Sequence, residues 1–175
     1  MRRYYYRPRF AFVDLAVGLS SLFLNPYRCC RKYFHVYGET PLSTFQPLAE
    51  AAGMNASDVY VELGSGRGKT CFWAALFTGC QARGVEIVPH FVLLSRLLAR
   101  TFGIRATFEK KSMFEADLSD ATIIYLYHLT DWRPDIPKNA RLITISEPYP
   151  EYRIIQELSV VFPWGKTVAY IQTKF

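Results

Sequence analysis

An apolar run, Val59-Tyr60-Val61-Glu62-Leu63, leads straight into Gly64-Ser65-Gly66-Arg67-Gly68-Lys69, and Thr70 to Phe77 follow, apolar enough for a buried helix. Strand, tight glycine turn and helix are thus expected in order. Three glycines within five positions give a main chain that can take φ > 0 and that no Cβ shields from a ligand. The helix behind the turn aims unpaired N–H groups and a partial positive charge at the same place. A chain built around this unit is expected to be α/β, with its ligand beyond the carboxyl ends of parallel strands.

Spacing decides among the ligands such a turn can hold. A phosphate P-loop needs four residues between its first Gly and Gly-Lys-Ser/Thr, and Gly64 stands only three before Gly68-Lys69-Thr70. The dinucleotide pattern G-x-G-x-x-G fails because position 69 is Lys. What remains is acidic-x-G-x-G-x-G, which resembles the first motif of class I S-adenosylmethionine (SAM) methyltransferases. Its acidic residue, Glu62, suits a ligand bearing an ammonium group and would repel a pyrophosphate. Glu62, Gly64, Ser65, Gly66, Gly68 and Lys69 are therefore expected at the cofactor.

Charge is placed unevenly. Residues 1–34 hold seven basic side chains (Arg2, Arg3, Arg7, Arg9, Arg28, Arg31, Lys32) against Asp14, which leaves fourteen basic and fourteen acidic residues in 35–175. Within the basic segment Phe10 to Leu24 is apolar apart from Asp14 and two serines. Fifteen helical residues span ~22 Å, short of a ~30 Å hydrocarbon core, and Asp14 interrupts any signal-peptide region. This segment is expected to pack on the catalytic domain, with contact to an anionic membrane surface as the second use. A nucleic-acid arm, with Tyr4-Tyr5-Tyr6 among arginines, is a weaker third. Cys29, Cys30, Cys71 and Cys80 show no zinc-ligand spacing with His35, His90 or His128, and reduced thiols in a cytoplasmic protein are expected.

Two units follow from this pattern, a helical segment over 1–36 and a catalytic domain over 37–175. After Asn25-Pro26 a short helix is expected over 27–36, then a turn over 37–41. Thr44 is expected to cap a helix that places Pro47 at its third position and stops near Gly53. Strands are expected at 59–63, 82–86, 104–109, 122–126 and 141–146, with helices over 70–77 and 89–102. The latter has Leu93, Leu94, Leu97 and Leu98 on one face and Arg96 and Arg100 on the other. Pro134 and Pro137 leave room for a turn or two of helix. Residues 152–158 are expected to be helical, and 159–162 with 167–173 to form a hairpin through Pro163-Trp164-Gly165. The expected fold is a three-layer Rossmann-like α/β structure around a seven-stranded, mainly parallel sheet with an antiparallel closing hairpin.

Glu86 ends the second strand eighteen residues after Gly68, where a carboxylate can accept both ribose hydroxyls. Lys111-Ser112-Met113-Phe114 should meet the adenine. Tyr127-His128 closes the fourth strand beside the expected methyl group, and Tyr37, Tyr127, His128 and Tyr149 are the candidates for lining the acceptor channel.

The wider pattern resembles a known family. Tyr37-Gly38-Glu39-Thr40, then twenty-one residues, then Glu62-Leu63-Gly64-Ser65-Gly66 is similar to the non-SET (disruptor-of-telomeric-silencing-like) histone-lysine methyltransferases, which place Tyr-Gly-Glu-Thr at this distance before Asp-Leu-Gly-Ser-Gly. Gly84-Val85-Glu86 resembles their ribose motif and Trp164 to Tyr170 their final hairpin. The resemblance covers about 37–175. It implies that Glu39 and Thr40 close over the methionine part of SAM and that a protein lysine is the acceptor. Smaller lysine methyltransferases that modify membrane-embedded proteins are similar too, and carry a hydrophobic amino-terminal segment.

Departures from the family are definite. Its adenine-binding Gly-Asp-Phe is Lys111-Ser112-Met113 or Ser112-Met113-Phe114 here, without the carboxylate, and its Asn-Asn-Phe is Tyr127-His128-Leu129. An RNA or small-molecule methyltransferase, or a binding protein of the same fold without turnover, are the rival readings. The neutral charge of 35–175 argues against a nucleic-acid substrate.

Overall fold

The computed structural model describes residues 7–23, 38–127 and 132–175. The short helix expected over 27–36, Tyr37 and His128 lie outside them. Apolar runs set the architecture: the central strands bury one face against helices and the other against loops. In chain order the elements are α1 (Pro8–Ser20), α2 (Leu42–Ala51), β1 (Val59–Leu63), α3 (Lys69–Phe77), β2 (Gln81–Glu86), α4 (Pro89–Thr101), β3 (Ala106–Lys110), a 3-10 turn (Met113–Glu115), β4 (Ile123–Tyr127), β5 (Arg141–Ile145), β6 (Arg153–Phe162) and β7 (Gly165–Thr173).

Seven strands form one sheet in the order β3-β2-β1-β4-β5-β7-β6. The first five are parallel, and the β6–β7 hairpin closes the sheet antiparallel to β5. The strand order reverses at β1/β4, where ligands settle in open α/β sheets. One face carries the main core, in which Tyr60, Phe108, Ile123 and Tyr125 meet Phe10, Phe45, Phe72 and Val92 from the four helices. Against the other face, Val61, Leu63, Ile124 and Leu142 pack on Leu118, Ile136, Tyr149 and Tyr152, contributed by connections without α-helix among the described residues. At the amino ends of the strands, Asp58 is bound by Arg141 and by the Thr122 hydroxyl at 2.7 Å, which ties β1, β4 and β5 together.

Three expectations need correction. Residues 153–158 are strand, not helix: β6 begins at Arg153 and pairs along its length with β7, with an irregularity between Ile154 and Gln156. Helix α2 starts earlier than expected, since Pro41 accepts the N–H groups of Thr44 and Phe45 at 2.9 Å. Thr44 is inside the helix, its hydroxyl donating to the Val161 carbonyl, and Pro47 falls at the sixth position instead of the third. On α4 the buried face is Phe91, Val92, Ser95, Leu98 and Ala99, whereas Leu93 and Leu97 are exposed. Within that face the small Ser95 lies over the glycine turn, where a Cβ on Gly68 would stand 3.0 Å from its hydroxyl. No α-helix forms over the described residues 132–140.

Candidate active site

Gly64, Gly66 and Gly68 all take positive φ (81°, 53° and 77°), and Gly68 is the left-handed cap of α3. The turn is stitched to the neighbouring strand by Gly64 and Ser65 N–H groups donating to the Val85 carbonyl at 2.8 and 3.1 Å. Beneath it, a Cβ on Gly84 would stand 2.5 Å from the Ser65 hydroxyl and 2.6 Å from the Phe108 ring, so β2 needs its glycine there. On the other side of the turn nothing among the described residues lies within 4 Å of where a Gly64 Cβ would be. That open space beside a left-handed backbone is what a close-lying ligand requires.

Two carboxylates flank the turn from adjacent strands. Glu86, buried, accepts the Gly66 N–H at 2.7 Å on one oxygen and the Val88 N–H at 2.8 Å on the other. A carboxylate has about four acceptor sites, so roughly two stay open for hydroxyls. Burial raises its pKa, opposed by those backbone hydrogen bonds. Glu62 lies under the first turn of α3, accepting from the Thr70 hydroxyl and, at 3.1 Å, from the Cys71 thiol. Burial, with smaller contributions from the charges of Glu86 and Glu39, pushes its pKa up to about 7 against those two hydrogen bonds. Three acidic groups thus converge at the carboxyl end of the sheet, an arrangement suited to a cation.

Glu39 arrives from the segment before α2 and meets the Arg67 guanidinium at 2.6 Å. The same guanidinium donates to the Val17 carbonyl at 2.7 Å and to the Ser21 hydroxyl at 2.5 Å, so it joins the end of α1, the glycine turn and Glu39. Sequence reasoning passed over Arg67; its only mark was a long charged side chain between two glycines. Thr40 shares a 2.5 Å hydrogen bond with the Tyr125 hydroxyl, whose pKa burial raises. Lys69, expected at the cofactor, has its side chain on Asp14 of α1 at 2.6 Å, which leaves only its main chain near the turn.

Ser112 caps the 3-10 turn, accepting the Phe114 N–H at 3.4 Å, and Met113 packs beside it against the loop-covered face of the sheet. Tyr127 ends β4 half-buried, edge-on to Phe162 at 5.7 Å. Tyr149 is fully buried on the loop-covered face, and so it does not line the channel beside Tyr127. Ser65 presents a buried hydroxyl without a partner among the described residues, a polar atom that a bound ligand could satisfy.

Fold and glycine turn together define the class: this is the Rossmann-like architecture of SAM-dependent methyltransferases. Among solved structures, an RNA methyltransferase from Salinibacter ruber in complex with S-adenosyl-L-homocysteine superposes with a TM-score of 0.68 at 26% identity, over 78% of this chain and 94% of that one. The Bacillus subtilis tRNA methyltransferase TrmK shares the fold (TM-score 0.62, 15% identity, 78% and 68% covered). The chain belongs to the family described as histone methylation protein DOT1, whose model matches residues 14–123. Among curated relatives, a protein-lysine N-methyltransferase of Saccharolobus islandicus is 31% identical over 98 residues, 54% of this chain and 61% of its own. A histone-lysine N-methyltransferase, H3 lysine-79 specific, of Yarrowia lipolytica is 24% identical over 156 residues, 74% of this chain and 31% of its own. This chain therefore spans about a third of the fungal relative and three fifths of the archaeal one.

Proposed function

We propose that this protein binds SAM across Gly64–Gly68 and transfers its methyl group to the side-chain amine of a protein lysine. The observation that carries the reading is the pair Glu62 and Glu86, set on adjacent strands on either side of a glycine turn with open space beside it. SAM, when bound, supplies a methyl group already activated on a sulfonium. In this reading Glu86 turns its free acceptor sites to the ribose hydroxyls while keeping the turn in shape. Glu39 and Glu62 supply negative charge for the amino-acid end, and Thr40, fixed by Tyr125, closes that side. Ser112 and Met113 contact the adenine edge and face. Tyr127 stands at the end of β4, where the acceptor enters.

The chain's task is then alignment and exclusion of water. An acceptor amine must be neutral to attack, and burial lowers an amine pKa in that direction. A lysine acceptor is favoured by the family match and by the archaeal protein-lysine relative. RNA is the second reading, favoured by the likeness to the Salinibacter RNA methyltransferase. Isothermal titration with S-adenosylhomocysteine tests the cofactor, and absence of binding would refute the whole reading. Incubation with methyl-labelled SAM and a cell lysate tests the acceptor. Label in protein, recovered as methyl-lysine, is expected; label in RNA would overturn the lysine assignment.

A further inference from the structure

Helix α1 has two apolar faces, and only one is used. Phe10, Val13 and Val17 are buried, with Phe10 edge-on to Phe77 of α3 at 5.2 Å. On the opposite side Phe12 (60% exposed), Leu15 (58%), Leu19 (49%) and Leu22 (76%) follow one another at spacings of three, four and three, and Phe23 (86%) continues the line. Phe12, Leu15 and Leu19, so spaced, share one helical face, and Leu22 and Phe23 extend it in the turn after Ser20. A contiguous exposed apolar stripe on a folded protein marks a surface that meets something.

Charge identifies what it meets. The chain's whole formal excess of +6 lies in residues 1–34, the stretch of sequence that contains this stripe. Asp14, the one acid there, is turned toward the domain and neutralised by Lys69 at 2.6 Å, so it does not interrupt the stripe. Arg9 is exposed in the first turn of the helix, whereas Arg7, just before it, donates to the Leu76 carbonyl and stands 5.3 Å over the Phe77 ring. An apolar face within a strongly basic stretch of sequence complements a bilayer surface that carries anionic headgroups over acyl chains. No helix among the described residues is long and apolar enough to cross a membrane.

We propose that α1 and the turn after it dock the protein in the plane of an anionic lipid surface, with Phe12, Leu15, Leu19 and Leu22 inserted and Arg9 at the headgroups. The buried face of the same helix keeps its place on the domain. This inference does not depend on the identity of the methyl acceptor.

Sedimentation of the full chain with phosphatidylcholine vesicles containing about a third phosphatidylserine tests it. The protein should sediment with these vesicles, less with pure phosphatidylcholine, and less as salt is raised. A double variant, Leu15→Glu with Leu19→Glu, should lose roughly tenfold or more in partitioning while keeping its melting temperature. Should that variant melt early, Phe12→Ser with Leu22→Ser gives the same test with neutral side chains. Failure of the wild type to sediment, or unchanged sedimentation of a folded variant, would overturn the proposal. So would light scattering in which the substitutions turn a dimer into a monomer, because the stripe would then belong to a second copy.

Discussion

The Glu62 carboxyl sits where burial makes its charge costly, and the charges of Glu86 and Glu39 add a smaller cost. Its pKa, pushed up to about 7 from 4.5, means the native state holds a proton that the unfolded chain has released. A raised carboxyl pKa contributes stability that is fully present below pH 4.5 and is lost as pH rises through about 7. The size is of order 3 kcal/mol from the shift. Glu62→Gln keeps the shape and removes the titration. The ligand-free variant should therefore gain stability relative to wild type between pH 5 and 8, by up to about 3 kcal/mol, in urea melts across that range. A constant difference across those pH values would mean Glu62 stays charged throughout. That Glu62 belongs at the end of a strand was legible from the acidic-x-G-x-G-x-G pattern. Its turn toward Thr70 and Cys71 was not, because no local pattern says which side of the sheet a strand residue faces. Arg67 was illegible for the same reason: its partners Val17, Ser21 and Glu39 are distant in sequence.

At the level of elements, the parallel core was readable wherever a buried face left its period in the sequence. Strands β1 to β5 and helices α3 and α4 lie within two or three residues of where hydrophobic runs and Gly or Pro boundaries put them. β6 escaped because residues 153–157 are exposed on both faces, so nothing imposes the two-residue alternation that marks a strand. Its conformation comes from pairing with β7. Helix α2 was misjudged at its start because Thr44 has the chemistry of a cap but spends its hydroxyl on β6. The consequence is a proline at an exposed interior position, where an N–H would otherwise donate to the Ser43 carbonyl. Pro47→Ala should restore that bond without touching the core. We expect a gain of about 1 kcal/mol or more, somewhat offset by the freer unfolded chain, seen as a higher midpoint in thermal and urea melts. A loss of stability would show that the ring contributes packing beyond the helix.

Across the whole molecule, cofactor binding and folding are linked, since Glu62, Glu86 and the glycine turn come together only when β1 and β2 are paired. A ligand at a hundred times its dissociation constant stabilises the native state by about 2.7 kcal/mol, and S-adenosylhomocysteine should raise the melting temperature by roughly 5–10 °C. Two glycines separate binding from general backbone effects. Gly64 (φ 81°) and Gly103 (φ 59°) are both left-handed, and a Cβ on either would meet nothing within 4 Å among the described residues. Gly64 lies at the carboxyl end of the sheet; Gly103, between α4 and β3, lies at the opposite end. Alanine at each should lower the ligand-free melting temperature comparably, from the cost of about 1–2 kcal/mol for a left-handed alanine. Only Gly64→Ala puts a methyl group into the space assigned to the ligand. Its melting temperature should then stay put when S-adenosylhomocysteine is added, while Gly103→Ala keeps the full rise. Equal rises in the two variants would place the ligand away from Gly64 and detach the glycine turn from its assigned role.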